Sequence, residues 1–241
     1  MIVFKPLSHI RAISFDLDDT LYDNMPYIYE AQRALNEYIL ENYPIAAAIT
    51  PAKWQEIRFA TLAEQPELAN DLGLLRTTVI TKAFLLAGMP SHLVSKAVTN
   101  CFDFFYFKRS DFEVAKSVRK VLKKLSKRVP IAAITNGNVD LKAIGIEKYF
   151  SCIIHASPTH PMKPDPAMFD HVSATLKIPS KNILHVGDDL DKDIKGAVDA
   201  GYQTAWLAVN RPMHLRNENA SMLPHIQLSE LKQLTKLVKK R

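Results

Sequence analysis

Three carboxylates fall within four positions at Asp16-Leu17-Asp18-Asp19, with Thr20 behind them and the apolar run Ala12-Ile13-Ser14-Phe15 in front. Asp is a poor strand residue, and like charges this close repel and raise one another's pKa. Natural sequences break local consistency mainly where function compensates. Side chains at i and i+2 share a strand face, so Asp16 and Asp18 could point the same way. If the strand ends there, they flank one pocket and Asp19 turns elsewhere. A cation in that pocket would relieve the repulsion. A strand followed by an Asx-type turn uses the same residue types, and this stretch alone leaves both readings open.

Other polar clusters follow apolar runs. Ile131-Ala132-Ala133-Ile134 ends in Thr135-Asn136-Gly137-Asn138, and Ile183-Leu184-His185-Val186 ends in Gly187-Asp188-Asp189, with Asp191 and Asp193 beyond. Between them Met162-Lys163-Pro164-Asp165-Pro166 fixes a lysine just before a helix start. Each has a turn-chemistry explanation, yet together they fit a single pocket better than separate coincidences. Oxygen-only ligands suit a hard cation, and octahedral Mg²⁺ keeps waters and takes a substrate phosphate oxygen. A carboxylate attacking phosphorus forms an aspartyl-phosphate, which splits one hard step into two. The phosphoryl transition state spreads charge over its equatorial oxygens, and Mg²⁺, a lysine ammonium and a threonine hydroxyl can stabilise it. A second carboxylic acid can protonate the leaving oxygen and then deprotonate the attacking water.

The elements that must position these groups follow from periodicity. Residues 2–4 and 10–15 read as strand-like. Ile28, Ala31, Leu35, Tyr38 and Ile39 then recur at helical spacing, and further helices are expected at roughly 52–64, 71–87 and 91–107, with Gly88-Met89-Pro90 as a break. No convincing strand is expected from Asn24 to about Phe107. Beyond residue 111 strands and helices alternate. A helix face is expected from Val114, Val118, Val121, Leu122 and Leu125, then strands at Val129–Ile134 and Cys152–His155. Asp165-Pro166 should open a helix to about Leu176, with Asp as N-cap and Pro at the first helical position. A strand at Asn182–Val186, a helix at Ile194–Ala200 closed by Gly201, and a strand at Thr204–Val209 follow. A last helix is expected to be capped by Ser229 and to align Leu231, Leu234, Leu237 and Val238. Such alternation implies an α/β fold, a mostly parallel sheet with helices on both faces. In that frame the helical block is an insertion after the first strand, acting as a cap. The expected domains are residues 1–23 with 108–241, and the cap at 24–107. In such a sheet, ligands bind beyond the carboxyl ends of the strands, where the polar clusters lie.

Composition narrows the classes. The chain has 241 residues, with 47% apolar and 23% charged residues, ordinary for a globular protein. No apolar run approaches the roughly 18–20 residues that would span a bilayer. Carboxylates arrive by residue 16, unlike the layout of a secretory signal. Cys101 and Cys152 are far apart and outside any CxxC pattern, so no disulfide framework or zinc site is expected, and a reducing cytoplasm is. The net charge of +6 suits an anionic partner. The basic residues lie mostly on helix faces (Lys116 to Arg128) and in Lys239-Lys240-Arg241, with no nucleic-acid motif, so a small anionic substrate is preferred to nucleic acid.

With these motifs in order, the sequence resembles the haloacid dehalogenase (HAD) superfamily of Mg-dependent phosphohydrolases. Asp16-Leu17-Asp18-Asp19-Thr20 matches its DxDxT motif, Thr135 its phosphate-binding Ser/Thr, Lys163 its lysine, and Gly187-Asp188-Asp189-Leu190-Asp191-Lys192-Asp193 its GDxxxxD motif. The resemblance implies a Rossmann-like core with an all-helical cap. It makes Asp16 the nucleophile and Asp18 the general acid/base, with Mg²⁺ held by Asp16, the main-chain carbonyl of Asp18, and Asp188. Thr135, Asn136 and Lys163 would bind phosphate. Asp189 would stand behind the metal ligands and Asp193 would either do so or orient the lysine, with the direct ligand among Asp188, Asp189 and Asp193 left open. Within the family, Phe15–Asn24, Ile134–Asn138, Ile183–Leu190 and Leu223-Pro224-His225 resemble bacterial phosphatases acting on flavin mononucleotide and 5-amino-6-(5-phospho-D-ribitylamino)uracil. The implied substrate is one of these, with another sugar or nucleotide phosphate, or a phosphomutase reaction, as the alternative. Dehalogenation does not need the acid/base carboxylate at Asp18. A phosphate-binding regulatory module without turnover is the alternative of another class. The resemblance leaves monomer and homodimer open.

The remaining candidates carry plainer expectations. The aromatic run Phe102, Phe104, Phe105, Tyr106 and Phe107 is expected to be core rather than a flavin platform, with Trp54 and Tyr27 ambiguous in the same way. His185 should be packed in the core, and His155 and His160, near the lysine loop, are expected to be exposed loop residues, with reach to the substrate as the alternative. Tyr22, Asp23 and Asn24 line a hinge or simply make a turn. Gly145 and Gly196 lack a phosphate-loop context.

Overall fold

The computed structural model describes residues 1–218 and 221–238, so the basic Lys239-Lys240-Arg241 lies outside the described residues. The strands are β1 (Ile2–Val3), β2 (Ala12–Phe15), β3 (Ile131–Thr135), β4 (Cys152–His155), β5 (Ile183–Gly187), β6 (Gln203–Trp206) and β7 (Ile226–Gln227). They form one sheet in the order β1-β7-β6-β5-β2-β3-β4. Every pairing is parallel except β1 with β7. The fold is thus a mostly parallel α/β sheet. β2 lies between β3 and β5, in a register that sets Ser14 opposite both Ala132 and His185. β2, β3, β5 and β6 are buried along their whole lengths, the signature of strands covered on both faces.

The chain divides into two compact units, Met1–Asn24 with Phe112–Gly137 and Leu141–Arg241, and Met25–Asp111 with Asn138–Asp140. In the sheet unit, α5 (Lys116–Ser126) buries Leu122 and Leu125 and leaves Lys116, Lys120, Lys123 and Lys124 in solvent. α6 (Ala167–Leu176) packs Met168, Phe169 and Val172 with Ala12, Ala132, Ile134 and Ile183, joined by Ala197 of the short α7 (Gly196–Asp199). Asp165 accepts from the Ala167 N–H at 2.9 Å, so this side chain caps α6 across Pro166.

Several elements differ from expectation for physical reasons. A wide π-helical turn, Leu190–Lys195, replaces the start of the helix expected at Ile194. Asp189 accepts from the N–H groups of Asp191 and Lys192, and Asp193 turns inward. β6 stops at Trp206: Leu207 N–H still donates to the Gly187 carbonyl at the end of β5, but Val209 N–H leaves the sheet for the carbonyl of Asp19. The last helix is a 3₁₀ segment, Leu231–Lys236; Leu231, Leu234 and Leu237 sit at the three-residue spacing that eclipses in such a helix. Ser229 accepts from the Gln233 side chain and does not cap it. β7 is too short for periodicity to reveal.

The helical unit comprises α1 (Met25–Asn42), α2 (Pro51–Glu64), α3 (Leu72–Leu86) and α4 (Ser91–Arg109), with 3₁₀ turns at Pro44–Ala48 and Pro66–Asn70. Among the described residues it contains no strand. Thr50 caps α2 by accepting from Lys53 N–H, and Asp71 caps α3 by accepting from Leu74 N–H. Ala31, Leu35, Ile80, Phe84, Val98, Cys101 and Phe105 form its main core. The aromatic run serves mostly as packing. Phe105 is buried, Phe104 stacks on Tyr38 at 4.3 Å between centroids, and Phe102 lies against Tyr106, while Phe107 is exposed. α4 runs to Arg109, which carries the unit past residue 107.

Candidate active site

The sheet unit brings the polar clusters together where β2, β3 and β5 end. Asp16 follows β2 at once, its N–H bonded to the Val186 carbonyl. Lys163 Nζ donates to Asp16 Oδ1 and to Asp193 Oδ1, both at 2.6 Å, and to the Ile134 carbonyl at 2.9 Å. All three donors of the ammonium are thereby used, and the residue is only 3% exposed. Burial alone would pull this ammonium down, but Asp16 and Asp193 hold its pKa above the ordinary value.

Its backbone is placed equally firmly. Lys163 N–H donates to Asn136 Oδ1 at 2.9 Å, and Asn136 Nδ2 donates back to the Lys163 carbonyl at 3.1 Å. Thr135, buried at the end of β3, accepts from Gly137 N–H at 3.0 Å. Gly137 leaves room for the Asp18 carboxylate, which a Cβ 2.6 Å from its Oδ2 would push aside. Thr20 Oγ1 donates to Asp16 Oδ2 at 3.2 Å. Asp19 turns away, with φ 61°, and accepts from Asn24 N–H.

Asp193 reaches inward from the π-helical turn because Gly187 has no side chain; a Cβ there would fall 2.3 Å from Asp193 Cβ and Cγ. Besides Lys163, Asp193 meets His185 Nε2 at 3.4 Å and accepts from Asp189 N–H at 3.1 Å. Burial would raise its pKa, but Lys163 and His185 hold it well below the usual carboxylate range. Asp16, by contrast, is pushed well above that range by burial, reinforced by the neighbouring carboxylates Asp193, Asp188 and Asp18 and opposed by Lys163. Burial, then Asp193, raises Asp188 to about 7 despite Arg211. Asp189 is not part of this crowding; it pairs with Lys192 at 2.8 Å beside the turn it caps.

Carboxylate oxygens of Asp16, Asp188 and Asp193 lie within 4.8 Å of one another. An all-oxygen, carboxylate-rich set fits a hard divalent cation. The raised Asp16 and Asp188 show the set short of positive charge even with Lys163 and Arg211 in place. The residues therefore fit Mg²⁺. The Asp18 carboxylate is not one of the three.

Several residues at the site were not singled out for it by the sequence. Tyr22 Oη donates to Asp18 Oδ1 at 2.5 Å, so this tyrosine is more than turn chemistry. Arg211 donates to Asp188 Oδ2 at 2.8 Å and to the Asp188 carbonyl at 2.9 Å, while its Nε bonds Glu218. It follows β6, one more strand end on the ligand-binding side, and that position was its only signal. His185 is buried in the core as expected, yet it also links Ser14 Oγ (2.9 Å) to Asp193. Burial lowers its pKa, so the neutral ring accepts from Ser14 and donates to Asp193. His155 and His160 are both half-buried rather than exposed: the His155 ring reaches the Gly137 carbonyl at 3.0 Å, and His160 packs edge-on against His171.

Residues 10–201 match the haloacid dehalogenase-like hydrolases, and the chain belongs to that family. Its relatives point to phosphate ester chemistry. It is 33% identical over 235 residues to the 5-amino-6-(5-phospho-D-ribitylamino)uracil phosphatase YigB of Escherichia coli (strain K12), spanning 98% of this chain and 99% of that protein. It is 26% identical over 248 residues to human N-acylneuraminate-9-phosphatase, spanning 96% and 95%. Among solved structures, a 2-haloacid dehalogenase from Pseudomonas syringae pv. Tomato DC3000 superposes with a TM-score of 0.88 at 31% identity, over 95% of this chain and 97% of that one.

Proposed function

We propose that this HAD hydrolase cleaves small phosphomonoesters through an aspartyl-phosphate on Asp16. The observation that carries this reading is the Lys163 ammonium held at 2.6 Å from both Asp16 and Asp193 in a buried cluster. A carboxylate so paired is fixed in direction and can attack phosphorus as an ester oxygen leaves. Asp18 gives its proton to that oxygen, and Tyr22 sets its orientation. In the second half, Asp18 takes a proton from water, the water oxygen attacks phosphorus, and the bond to Asp16 breaks to release phosphate. Lys163 and the Thr135 hydroxyl stabilise charge on the transferring oxygens, and the Asn136 pair keeps Lys163 in place. When bound by Asp16, the Asp18 carbonyl and Asp188, Mg²⁺ supplies the positive charge that draws a phosphate dianion into a carboxylate site. Asp193 and Asp189 support from behind, the first on Lys163 and the second on the turn.

For the substrate, identity to YigB along nearly the whole chain supports 5-amino-6-(5-phospho-D-ribitylamino)uracil or flavin mononucleotide. The weaker likeness to N-acylneuraminate-9-phosphatase keeps another sugar or nucleotide phosphate as the second reading. Fold does not choose between them; the helical unit, read as the family's cap, is where the choice would lie. The free thiols Cys101 and Cys152 suit the cytoplasm. Although the solved dehalogenase is similar, Asp18 with its tyrosine partner favours protonation of a leaving oxygen, which halide loss does not need.

The test is Asp16→Asn, with Mg²⁺ and a phosphomonoester panel that includes flavin mononucleotide. Turnover and phosphoenzyme should vanish while the fold persists. Substantial retained activity would refute the nucleophile, and chloride release from a haloacid by the unaltered chain would refute the reaction class.

A further inference from the structure

The helical unit contains a cavity of about 740 Å³ between α1, α2 and α3. That volume lies in the range of small-molecule sites. Its walls are largely apolar, including Leu35, Ile39, Val79 and Trp54, and Arg76 and Arg58 also line it. Arg76 is unusual for a cation in such surroundings. Its guanidinium lies 3.5 Å from the centroid of the Phe105 ring, and Nη1 donates to Gln32 Oε1 at 2.7 Å. Its Nε is buried without a hydrogen-bond partner among the described residues. Among the described residues no carboxylate is paired with it, and Arg58 repels it. Burial and that repulsion pull its pKa down to about 10. A half-buried cation with no carboxylate partner among the described residues costs free energy that a bound anion would recover.

We propose that this cavity binds a small amphipathic anion, its acidic group on Arg76 and Arg58 and its apolar body against Trp54, Leu35 and Ile39. The site belongs to the helical unit alone and does not depend on the phosphatase reading. It requires one acid group, carboxylate or phosphate, on a hydrocarbon or aromatic body. The exposed Arg58 brings the anion in, and Arg76 supplies a positive charge that no carboxylate among the described residues pairs.

The experiment uses the full chain with octanoate as probe and octanol as its uncharged counterpart, followed by titration calorimetry. Octanoate should bind saturably with one site per chain, and octanol about tenfold or more weakly. Arg76→Gln should lower octanoate affinity about tenfold while leaving the thermal midpoint unchanged or raised, since it removes a half-buried charge that no carboxylate among the described residues pairs. A merely structural arginine would instead lower the midpoint. Should Arg76→Gln not fold, the exposed Arg58→Gln carries the same expected direction. Tryptophan emission reports location, because the chain has two tryptophans and Trp206 is fully buried in the sheet unit. Trp54→Phe should remove the octanoate-dependent change. Inorganic phosphate with Mg²⁺ should not displace octanoate. Displacement would put the anion in the catalytic cluster and overturn the proposal. So would equal binding of octanol, indifference to both arginine substitutions, or no saturable binding.

Discussion

Asn136 and Lys163 exchange two hydrogen bonds, N–H to Oδ1 at 2.9 Å and Nδ2 to carbonyl at 3.1 Å. An amide at the end of β3 thus sets the backbone from which the lysine reaches Asp16. Asn136→Ala should let that segment shift, lowering kcat by about a hundredfold while costing only about 1–3 kcal/mol of stability. Steady-state kinetics beside urea unfolding check this. An unchanged kcat would mean that Ile134, Asp16 and Asp193 suffice to place the ammonium.

Gly187→Ala puts a methyl group where Asp193 now lies, 2.3 Å from its Cβ and Cγ. The carboxylate must move off Lys163 or β5 must shift. Overpacking of this kind costs about 1–3 kcal/mol, and activity should fall with it. Thermal unfolding and a phosphatase assay together decide; a stable, fully active variant would show that Asp193 is not held as described.

Tyr22→Phe removes the donor on Asp18 Oδ1 and keeps the ring's edge contact with Phe112. Expected is a fall in kcat of about tenfold, less than the roughly hundredfold or more of a whole acid–base group because Asp18 itself remains, with KM nearly constant. A change in KM alone would place Tyr22 in substrate binding.

Removal of divalent ions should stop hydrolysis, and added Mg²⁺ should restore it. Independent of turnover, Mg²⁺ should raise the thermal midpoint by mass action. Asp188→Asn should reduce that rise, because Asp188 belongs to the crowded carboxylate set. Equal Mg²⁺ stabilisation of both proteins would exclude Asp188 as a ligand.

A pH effect is expected away from the site. His225 Nδ1 accepts from the Thr204 N–H at 3.2 Å, which requires the neutral ring, and burial followed by Lys5 lowers its pKa below 6.5. The folded chain therefore binds fewer protons here than the unfolded one. This contribution is whole above the unfolded pKa and is lost as pH falls from there toward the folded value. Urea midpoints measured from about pH 7.5 down to about pH 5 should decline, and His225→Gln should make the decline shallower. An identical slope in the variant would refute the linkage.

The sequence alone determined the alternation of strands and helices, the helical block after the first strand, and the four polar turns. Those features are local: period, cap residues and the contrast of apolar run with charged turn depend on neighbours within a few positions. Asp165 before Pro166 announced α6, and Asp16 after Phe15 announced the end of β2. Only the tertiary structure decided which groups meet. The Ser14–His185–Asp193 chain depends on the register of β2 against β5, the inward Asp193 on a π-helical turn, and the Arg211–Asp188 pair on where β6 ends. No local pattern encodes these, because each joins residues brought together by sheet order. The same holds for Arg76, an ordinary residue of α3 until Gln32 of α1, Arg58 of α2 and Phe105 of α4 surround it.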